Sequence, residues 1–98
     1  MQRVTVAQLQ AVIDRLNRIT YSPALPYVNG KAQPGCYHLS RAYGGFCLHR
    51  MHNESGGVSS PLHTGHVPAR ELLNLMHAYI NGIERGIEQT HANIAAAR

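Results

Sequence analysis

The sequence predicts a single small α+β domain: an N-terminal helix, a small antiparallel β-sheet built on a hairpin over residues 36–50, and a long C-terminal helix. Apolar residues recur at the helical spacing of three or four positions over 1–20 and again over 68–95. Two runs of alternating apolar and polar residues lie between these stretches, which is the pattern of paired strands. A chain of 98 residues builds one modest core, so we expect it to form an oligomer that adds to its stability.

The first helix is predicted over residues 1–20. Thr5 and Gln8 have the spacing of a capping box, in which each side chain accepts a hydrogen bond from the backbone N–H of the other residue. The apolar stripe of this helix consists of Val6, Leu9, Val12, Ile13, Leu16 and Ile19. Arg18 lies in the last turn on the polar face, where exposure to solvent is the ordinary interpretation.

Residues 21–35 are predicted to form a linker or a turn-rich arm. They contain Pro23, Pro26 and Pro34 together with two glycines, and both residue types interrupt regular structure. At most one short strand is expected in this arm, around Leu25 to Val28.

A β-hairpin is predicted over residues 36–51, with Arg41–Gly45 as the connection between its strands. The expected pairing puts four apolar side chains on one face, with Tyr37 opposite Leu48 and Leu39 opposite Phe46. The other face then carries two thiols and two imidazoles, from Cys36, His38, Cys47 and His49.

Residues 52–67 lack periodicity and are predicted to form a binding loop, because irregular segments of this length in small domains are usually functional. A helix follows over 68–95, with Pro68 as its first residue. Its apolar stripe consists of Leu72, Leu73, Met76, Ile80, Ile83, Ile87 and Ile94. Gly82 and Gly86 remove side chains one turn apart, so a helix of a second subunit can approach this backbone closely.

Neither a metal site nor catalysis is expected. The cysteines and histidines of the hairpin are ligand types that zinc prefers, but residues two apart on a strand lie about 7 Å apart and their side chains splay. Paired histidines such as His49 with His52, or His63 with His66, have the chemistry of an acid and a base for phosphodiester cleavage. No nucleophile motif surrounds them and the chain has only five acidic residues, so we predict a protein that is not an enzyme and needs no cofactor.

The net charge of +4 at pH 7 fits a phosphate-bearing partner. The nine lysines and arginines are spread singly along the chain, so we expect a small anion as the partner and no nucleic-acid duplex. We expect neither a signal peptide nor a membrane partner, because no apolar run approaches the roughly 20 residues that span a bilayer. A cytosolic protein with reduced Cys36 and Cys47 is the resulting prediction.

The tip of the predicted hairpin, and Asn53 just after its second strand, are suited to a nucleotide base. Tyr43 offers a flat ring on which a base can stack, and Gly44 and Gly45 carry no side chains that would block its approach. Asn53 has both a donor and an acceptor, which suits a base edge or a ribose hydroxyl.

The chain that follows has residues suited to phosphate. The pair Gly56–Gly57 can expose backbone N–H groups, and Arg70 can bind phosphate through two hydrogen bonds at the amino end of the second helix. An ordinary polar loop leading into a helix explains the same residues equally well.

Residues 42–57 read AYGGFCLHRMHNESGG, and the pattern continues through Gly65 and Arg70-Glu71-Leu72 to Gly82. Its elements are an aromatic residue followed by Gly-Gly, then Leu-x-Arg, then Asn-x-x-Gly-Gly, and then Arg-Glu-Leu. This pattern resembles the Thoeris anti-defence 1 family of phage proteins, and the resemblance covers roughly the last two thirds of the chain.

The resemblance implies a sponge protein that sequesters cyclic ADP-ribose isomers in the cytoplasm of the host cell without cleaving them, so that Thoeris or CBASS-type immunity is not activated. It also implies dimers or hexamers, and some members hold cyclic di- or trinucleotides at separate sites between subunits. By position, the resemblance assigns base stacking to Tyr43, polar recognition to Asn53 and phosphate binding to Arg70. Arg18 would reach the ligand across a subunit boundary. The chain departs from the family in having Asn74 one turn after Arg70, where a second basic residue is expected.

Two other classes of function remain open. A small phage DNA-binding regulator would use the basic charge, although no helix-turn-helix is recognisable. It predicts duplex affinity that falls steeply with salt. A protein inhibitor of a host enzyme would use exposed apolar parts of the long helix, and it predicts a stable complex with a host protein without a retained small molecule.

Overall fold

The computed structural model describes residues 3–96, with side chains as far as Asn93, and confirms the predicted α+β architecture. Its helices are α1, Val6–Ile19, and α2, Ala69–Ala96. Two antiparallel sheets lie between them: β1 (Tyr27–Val28) with β2 (Lys31–Ala32), and β3 (Tyr37–Ala42), β4 (Gly45–Met51) and β5 (Val58–Ser59) in the order β3-β4-β5. No helix within these residues is long and apolar enough to cross a membrane.

Both ends of α1 are closed by local hydrogen bonds. The predicted capping box is confirmed, since the Thr5 N–H donates to Gln8 Oε1 at 2.7 Å and the Gln8 N–H donates to Thr5 Oγ1 at 3.1 Å. At the other end, the N–H of Tyr21 donates to the Arg18 carbonyl and the N–H of Ser22 donates to the carbonyl five residues earlier. This is a Schellman motif, and it places Tyr21 at φ 55°, in a conformation that glycine usually supplies.

The core forms where α1 and α2 pack on one face of the β3–β4 hairpin, which we call the inner face. Its buried members are Leu9, Ile13, Leu16, Tyr37, Leu48, Leu72, Met76 and Ile80. Most of them are the central positions of the two predicted stripes, and burial of each large apolar side chain contributes roughly 1.5–3 kcal/mol. An ion pair between Arg15 and Glu84 joins the two helices near the surface.

The second half of α2 extends beyond this core. Ile87 is 42% exposed, and the residues from 85 to 93 are all exposed. An added Cβ at Gly82 or Gly86 would meet nothing within 4 Å. Ile94, the last residue of the predicted stripe, lies outside the side chains that the structure describes. That a second subunit packs on this half of the helix stays a prediction.

The hairpin is present, but its pairing differs from the expected one by two residues. The observed partners are Tyr37–Arg50, His38–His49, Leu39–Leu48, Ser40–Cys47, Arg41–Phe46 and Ala42–Gly45. The partners predicted for Tyr37 and Leu39 are therefore wrong. The reason is the turn, because Tyr43–Gly44 alone connects the strands and the expected connection Arg41–Gly45 is mostly strand. A shift of two residues returns each side chain to the same face, so the apolar face and the imidazole face are as predicted.

The second face of the hairpin, the outer face, is covered by the chain itself. β5 and Val67 pair with the two ends of one edge of β4, and residues 60–66 lie over the outer face between them. There the Cys47 thiol lies 3.7 Å from the carbonyl oxygen of Thr64. Part of the predicted binding loop 52–67 is thus a strand. The sequence did not indicate it, because the segment has few apolar residues and no alternating pattern.

The arm 21–35 contains two strands, where at most one was expected. They are joined by the turn Asn29–Gly30, with φ 52° and 76°, the combination that a tight hairpin turn requires. Behind the arm lies a second small core of Ala32, Cys36 and Met51. The thiol of Cys36 is buried in this cluster.

Candidate ligand-binding site

The tip of the β3–β4 hairpin presents an aromatic ring to solvent. Tyr43 and Gly44 form its two-residue turn, with φ 55° and 74°. Positive φ at both positions defines a type I′ turn, for which asparagine followed by glycine is the preferred sequence. A tyrosine in this conformation costs roughly 1–2 kcal/mol, and Tyr43 is 98% exposed, so packing within the chain does little to offset that cost.

The tip is held from behind by the segment that leads into α2. Phe46 and Val67 exchange two backbone hydrogen bonds of 2.8 Å. A Cβ added to Gly45 would lie 3.0–3.1 Å from the backbone of His66 and Val67, so only glycine allows this approach without a shift. The His66 Nε2 atom lies 3.0 Å from Ser40 Oγ, and its ring centroid lies 5.9 Å from that of Tyr43. The backbone that carries the exposed ring is therefore held by its contacts with His66 and Val67.

Two arginines lie at this end of the sheet. Arg70 is in the first turn of α2, directly after the Val67 pairing, and is exposed. The guanidinium carbon of Arg41 lies 5.5 Å from the centroid of the Phe46 ring, on the neighbouring strand. Arg41 also lines a shallow cavity of about 290 Å³ with Ala42, Gly44, Gly45 and Phe46. The sequence indicated Arg70 but not Arg41. Arg41 directly precedes the Ala-Tyr-Gly-Gly run, and this position is the one sequence feature that could have drawn attention to it.

Asn53, Gly56 and Gly57 lie at the opposite, open end of the hairpin. The Asn53 Oδ1 atom accepts hydrogen bonds of 3.0 Å from the backbone N–H groups of Ser55 and Gly57. A Cβ on Gly57 would lie 2.7 Å from Asn53 Nδ2, and Gly56 adopts φ 92° beside the hydroxyl of Tyr27. The Gly56 N–H donates to the Asn53 carbonyl at 3.3 Å. The N–H groups of Gly56 and Gly57 are thus both used within the loop, and the expectation that this pair exposes them for phosphate is wrong.

Arg18 also lies at the open end. It lines a groove of about 390 Å³ whose walls are Asp14, Asn17, Arg18, Ser22, Ala24 and Leu25. This volume falls within the roughly 300–1,000 Å³ of small-molecule sites. Tyr21 directly precedes Ser22, one of the residues that line the groove. It is 96% exposed and has positive φ, the same combination as at Tyr43. The sequence indicates Tyr21 only indirectly, because the helix ends there without the glycine that usually occupies this position of a Schellman motif.

The predicted site residues therefore divide into two groups within one chain. Tyr43, Gly44, Gly45 and Arg70 lie around the tip; Arg18, Asn53, Gly56 and Gly57 lie around the open end. The six residues of β3 separate the two ends by about 20 Å at 3.3 Å per residue. A small ligand cannot touch both groups in one chain, so a site that uses all eight residues needs two chains.

The outer face carries a row of three imidazoles that we call the imidazole row: His38, His49 and His66. Ring centroids are 5.7 Å apart for His38 and His49 and 6.1 Å apart for His49 and His66. The Nε2 atom of His38 is buried and has no hydrogen-bond partner among the described residues. Over the same part of the chain, no group of three His, Cys, Asp or Glu residues is arranged to hold a metal ion.

The free energy of unfolding is expected to decrease between pH 7.5 and pH 5.5. Burial lowers the pKa of His38 and of His49 below the ordinary 6.5, and the charge of the next imidazole in the row lowers each further. Below pH 6.5 the unfolded chain takes up protons that the folded chain resists, so stability is lost until the folded-state pKa is reached. Urea unfolding at the two pH values measures this loss.

The variant His49→Gln should reduce the pH dependence, because it removes one buried imidazole and the repulsion of its neighbours. His77→Gln, an exposed histidine in the first half of α2, is the matched control and should keep the dependence of the parent chain. A urea midpoint that is equal or higher at pH 5.5 would contradict the account of the imidazole row.

No protein-family model, curated protein or solved structure matches the chain. The similarity to the Thoeris anti-defence 1 family therefore depends on the residues quoted above, and the function that it implies stays a prediction. The geometry adds an independent observation, which is an exposed tyrosine at positive φ on the hairpin tip, with Arg41 and the segment that leads into α2 on the two sides of Phe46. Such an arrangement can stack a planar ring and bind an anion beside it.

Proposed function

We propose that the protein binds cyclic nucleotide signals, with cyclic ADP-ribose isomers as the principal ligands, and sequesters them without cleavage. The observation that carries this proposal is Tyr43. Asparagine is the preferred residue at this turn position, so an exposed tyrosine at positive φ there supports the proposal that its ring stacks on a ligand. Stacking of a base on such a ring is worth roughly 1–3 kcal/mol.

The phosphates of the ligand bind at the start of α2. Arg70 offers a planar group with two parallel N–H donors, and the first turn of the helix adds backbone N–H groups and the positive end of the helix dipole. Because Val67 is fixed to Phe46 beside the tip, this turn is held close to the stacking ring. Base and phosphate recognition are thus combined at one end of the hairpin.

A second subunit completes the site from its own open end. Arg18, Asn53 and the Gly56–Gly57 pair of that subunit reach the ligand, and the exposed ring of Tyr21 beside Arg18 adds a second stacking surface. The exposed half of α2 supplies the contact between subunits. A shallow groove of about 420 Å³ there is lined by Ile83, Gly86, Ile87, Thr90 and His91. We propose a dimer or a hexamer built on this helix.

Binding alone accounts for the biological effect. A sponge lowers the concentration of a signal through affinity and copy number, so it needs no nucleophile, base or metal. In the cytoplasm of an infected host cell, such a phage protein would keep Thoeris or CBASS-type effectors inactive. The uncovered half of α2 also favours a second candidate, a protein inhibitor of a host enzyme, which would retain a host protein and no small molecule.

Isothermal titration of the purified protein with cyclic ADP-ribose isomers tests the proposal. We expect saturable binding with one ligand per chain, because each chain contributes one tip and one open end to the sites shared between subunits. A salt titration with duplex DNA should give no tight complex. Absence of binding to every isomer, with a stable host-protein complex in its place, would favour the inhibitor.

A further inference from the structure

We infer that Arg41 is a second phosphate-binding residue of this site. The inference rests on the proposed function, and it names a residue that neither the composition nor the motif pattern indicates. Its starting point is the cavity of about 290 Å³ at the tip, which Arg41 lines together with Phe46 and three small residues.

The position of Arg41 follows from the register. It pairs with Phe46 on one side, and Val67 pairs with Phe46 on the other. Two strand spacings of 4.7–4.9 Å place the backbones of Arg41 and Val67 about 10 Å apart. Arg41 and the first turn of α2 therefore flank Phe46, with Tyr43 at the end of the same hairpin. The cavity that Arg41 lines is thus at the end of the hairpin where Tyr43 forms the turn.

The Arg41 side chain is ordered by a contact that leaves it able to bind. Its guanidinium carbon lies 5.5 Å from the centroid of the Phe46 ring, and the residue is exposed. An arginine stacked on an aromatic face loses less conformational freedom when it binds an anion, and its N–H groups still form the fork that matches two phosphate oxygens. A lysine at this position would supply charge without that geometry.

The charge of the ligand suits a site with a second arginine. A cyclic ADP-ribose isomer has two linked phosphate groups, each with a negative charge. The first turn of α2 contains Arg70 but also Glu71, so the side chains of that turn sum to no net charge. Arg41 adds the missing cation, and it does so from the side of Phe46 opposite to the helix.

Isothermal titration with a cyclic ADP-ribose isomer compares the parent chain with Arg41→Ala, Arg41→Lys and Arg3→Ala. We expect Arg41→Ala to weaken binding roughly 10- to 100-fold, as the loss of hydrogen bonds to a charged group predicts. Arg41→Lys should be intermediate. Arg3→Ala removes an exposed arginine that precedes α1, outside the tip and the exposed half of α2, and should bind like the parent. Binding by Arg41→Ala within twofold of the parent overturns the inference and leaves the proposed function in place.

A second experiment tests the role of Arg41 even if the parent chain binds no cyclic nucleotide. That absence of binding would contradict the proposed function. Sodium pyrophosphate is titrated into the isotopically labelled protein while the amide signals of Ala42, Gly44 and Gly45 are followed by NMR. Shifts in the parent that disappear in Arg41→Ala support a phosphate contact at Arg41. Unchanged signals in the parent, or equal shifts in the variant, overturn it.

Discussion

The variant Tyr43→Asn should lose most of the affinity for a cyclic ADP-ribose isomer and yet fold more stably than the parent. Loss of base stacking is expected to weaken binding roughly 10- to 100-fold. Asparagine tolerates the positive φ of this position, and the ring of Tyr43 is 98% exposed, so unfolding should require about 1 kcal/mol more. Isothermal titration and urea unfolding measure the two effects separately.

Tyr43→Phe is the matched control, because it keeps the ring and removes only the hydroxyl. Its affinity should stay within a few-fold of the parent, and its stability should be unchanged. If Tyr43→Asn bound as tightly as the parent, the ring would have no part in recognition, and the main observation behind the proposed function would be lost.

Asn17→Ala is expected to cause the largest loss of stability. Asn17 is a buried polar residue, and its side chain accepts from the N–H of Tyr37 at 2.8 Å and donates to the carbonyl of Tyr37 at 3.0 Å. Tyr37 opens β3, an edge strand of the sheet, so Asn17 takes the place of a neighbouring strand. Removing it leaves the buried N–H of Tyr37 unpaired, at a cost of about 1–3 kcal/mol, and leaves the Tyr37 carbonyl with the weak Cys36 thiol donor at 3.4 Å.

The combined loss is a large part of the roughly 5–15 kcal/mol that stabilises a domain of this size. Thermal and urea unfolding followed by circular dichroism measure it. Asn74→Ala, an exposed asparagine of α2, is the control and should change stability by less than about 0.5 kcal/mol. A loss of the same small size for Asn17→Ala would show that α1 does not depend on this contact.

The sequence predicted those features that depend on local chemistry. The capping box of Thr5 and Gln8, the two apolar stripes and the faces of the hairpin all follow from spacing alone, because each arises within one turn or one strand pair. The register of the hairpin did not follow from spacing. Tyr43–Gly44 is an unusual sequence for a type I′ turn, and the pair Gly44–Gly45 points to a longer loop.

Features that join distant segments were not predictable in the same way. Asn17 falls in the helical row of Ile13, but its bonds to β3 depend on where the hairpin docks. Arg41 is linked to the start of α2 only through the pairing of Phe46 with Val67. The position of Arg18 likewise depends on where α1 docks, whereas Asn53 lies far from Tyr43 in any such hairpin, because one residue follows β4 and the other forms its turn. This separation is the reason that one chain holds only part of the candidate site.

Mass spectrometry distinguishes a ligand that is held from one that is transformed. The protein is incubated with an excess of a cyclic ADP-ribose isomer, passed over a desalting column and denatured by heat, and the masses of the released small molecules are measured. We expect the intact cyclic nucleotide in fixed proportion to the protein. Recovery of a linear or otherwise altered product, or of no nucleotide at all, would contradict this expectation.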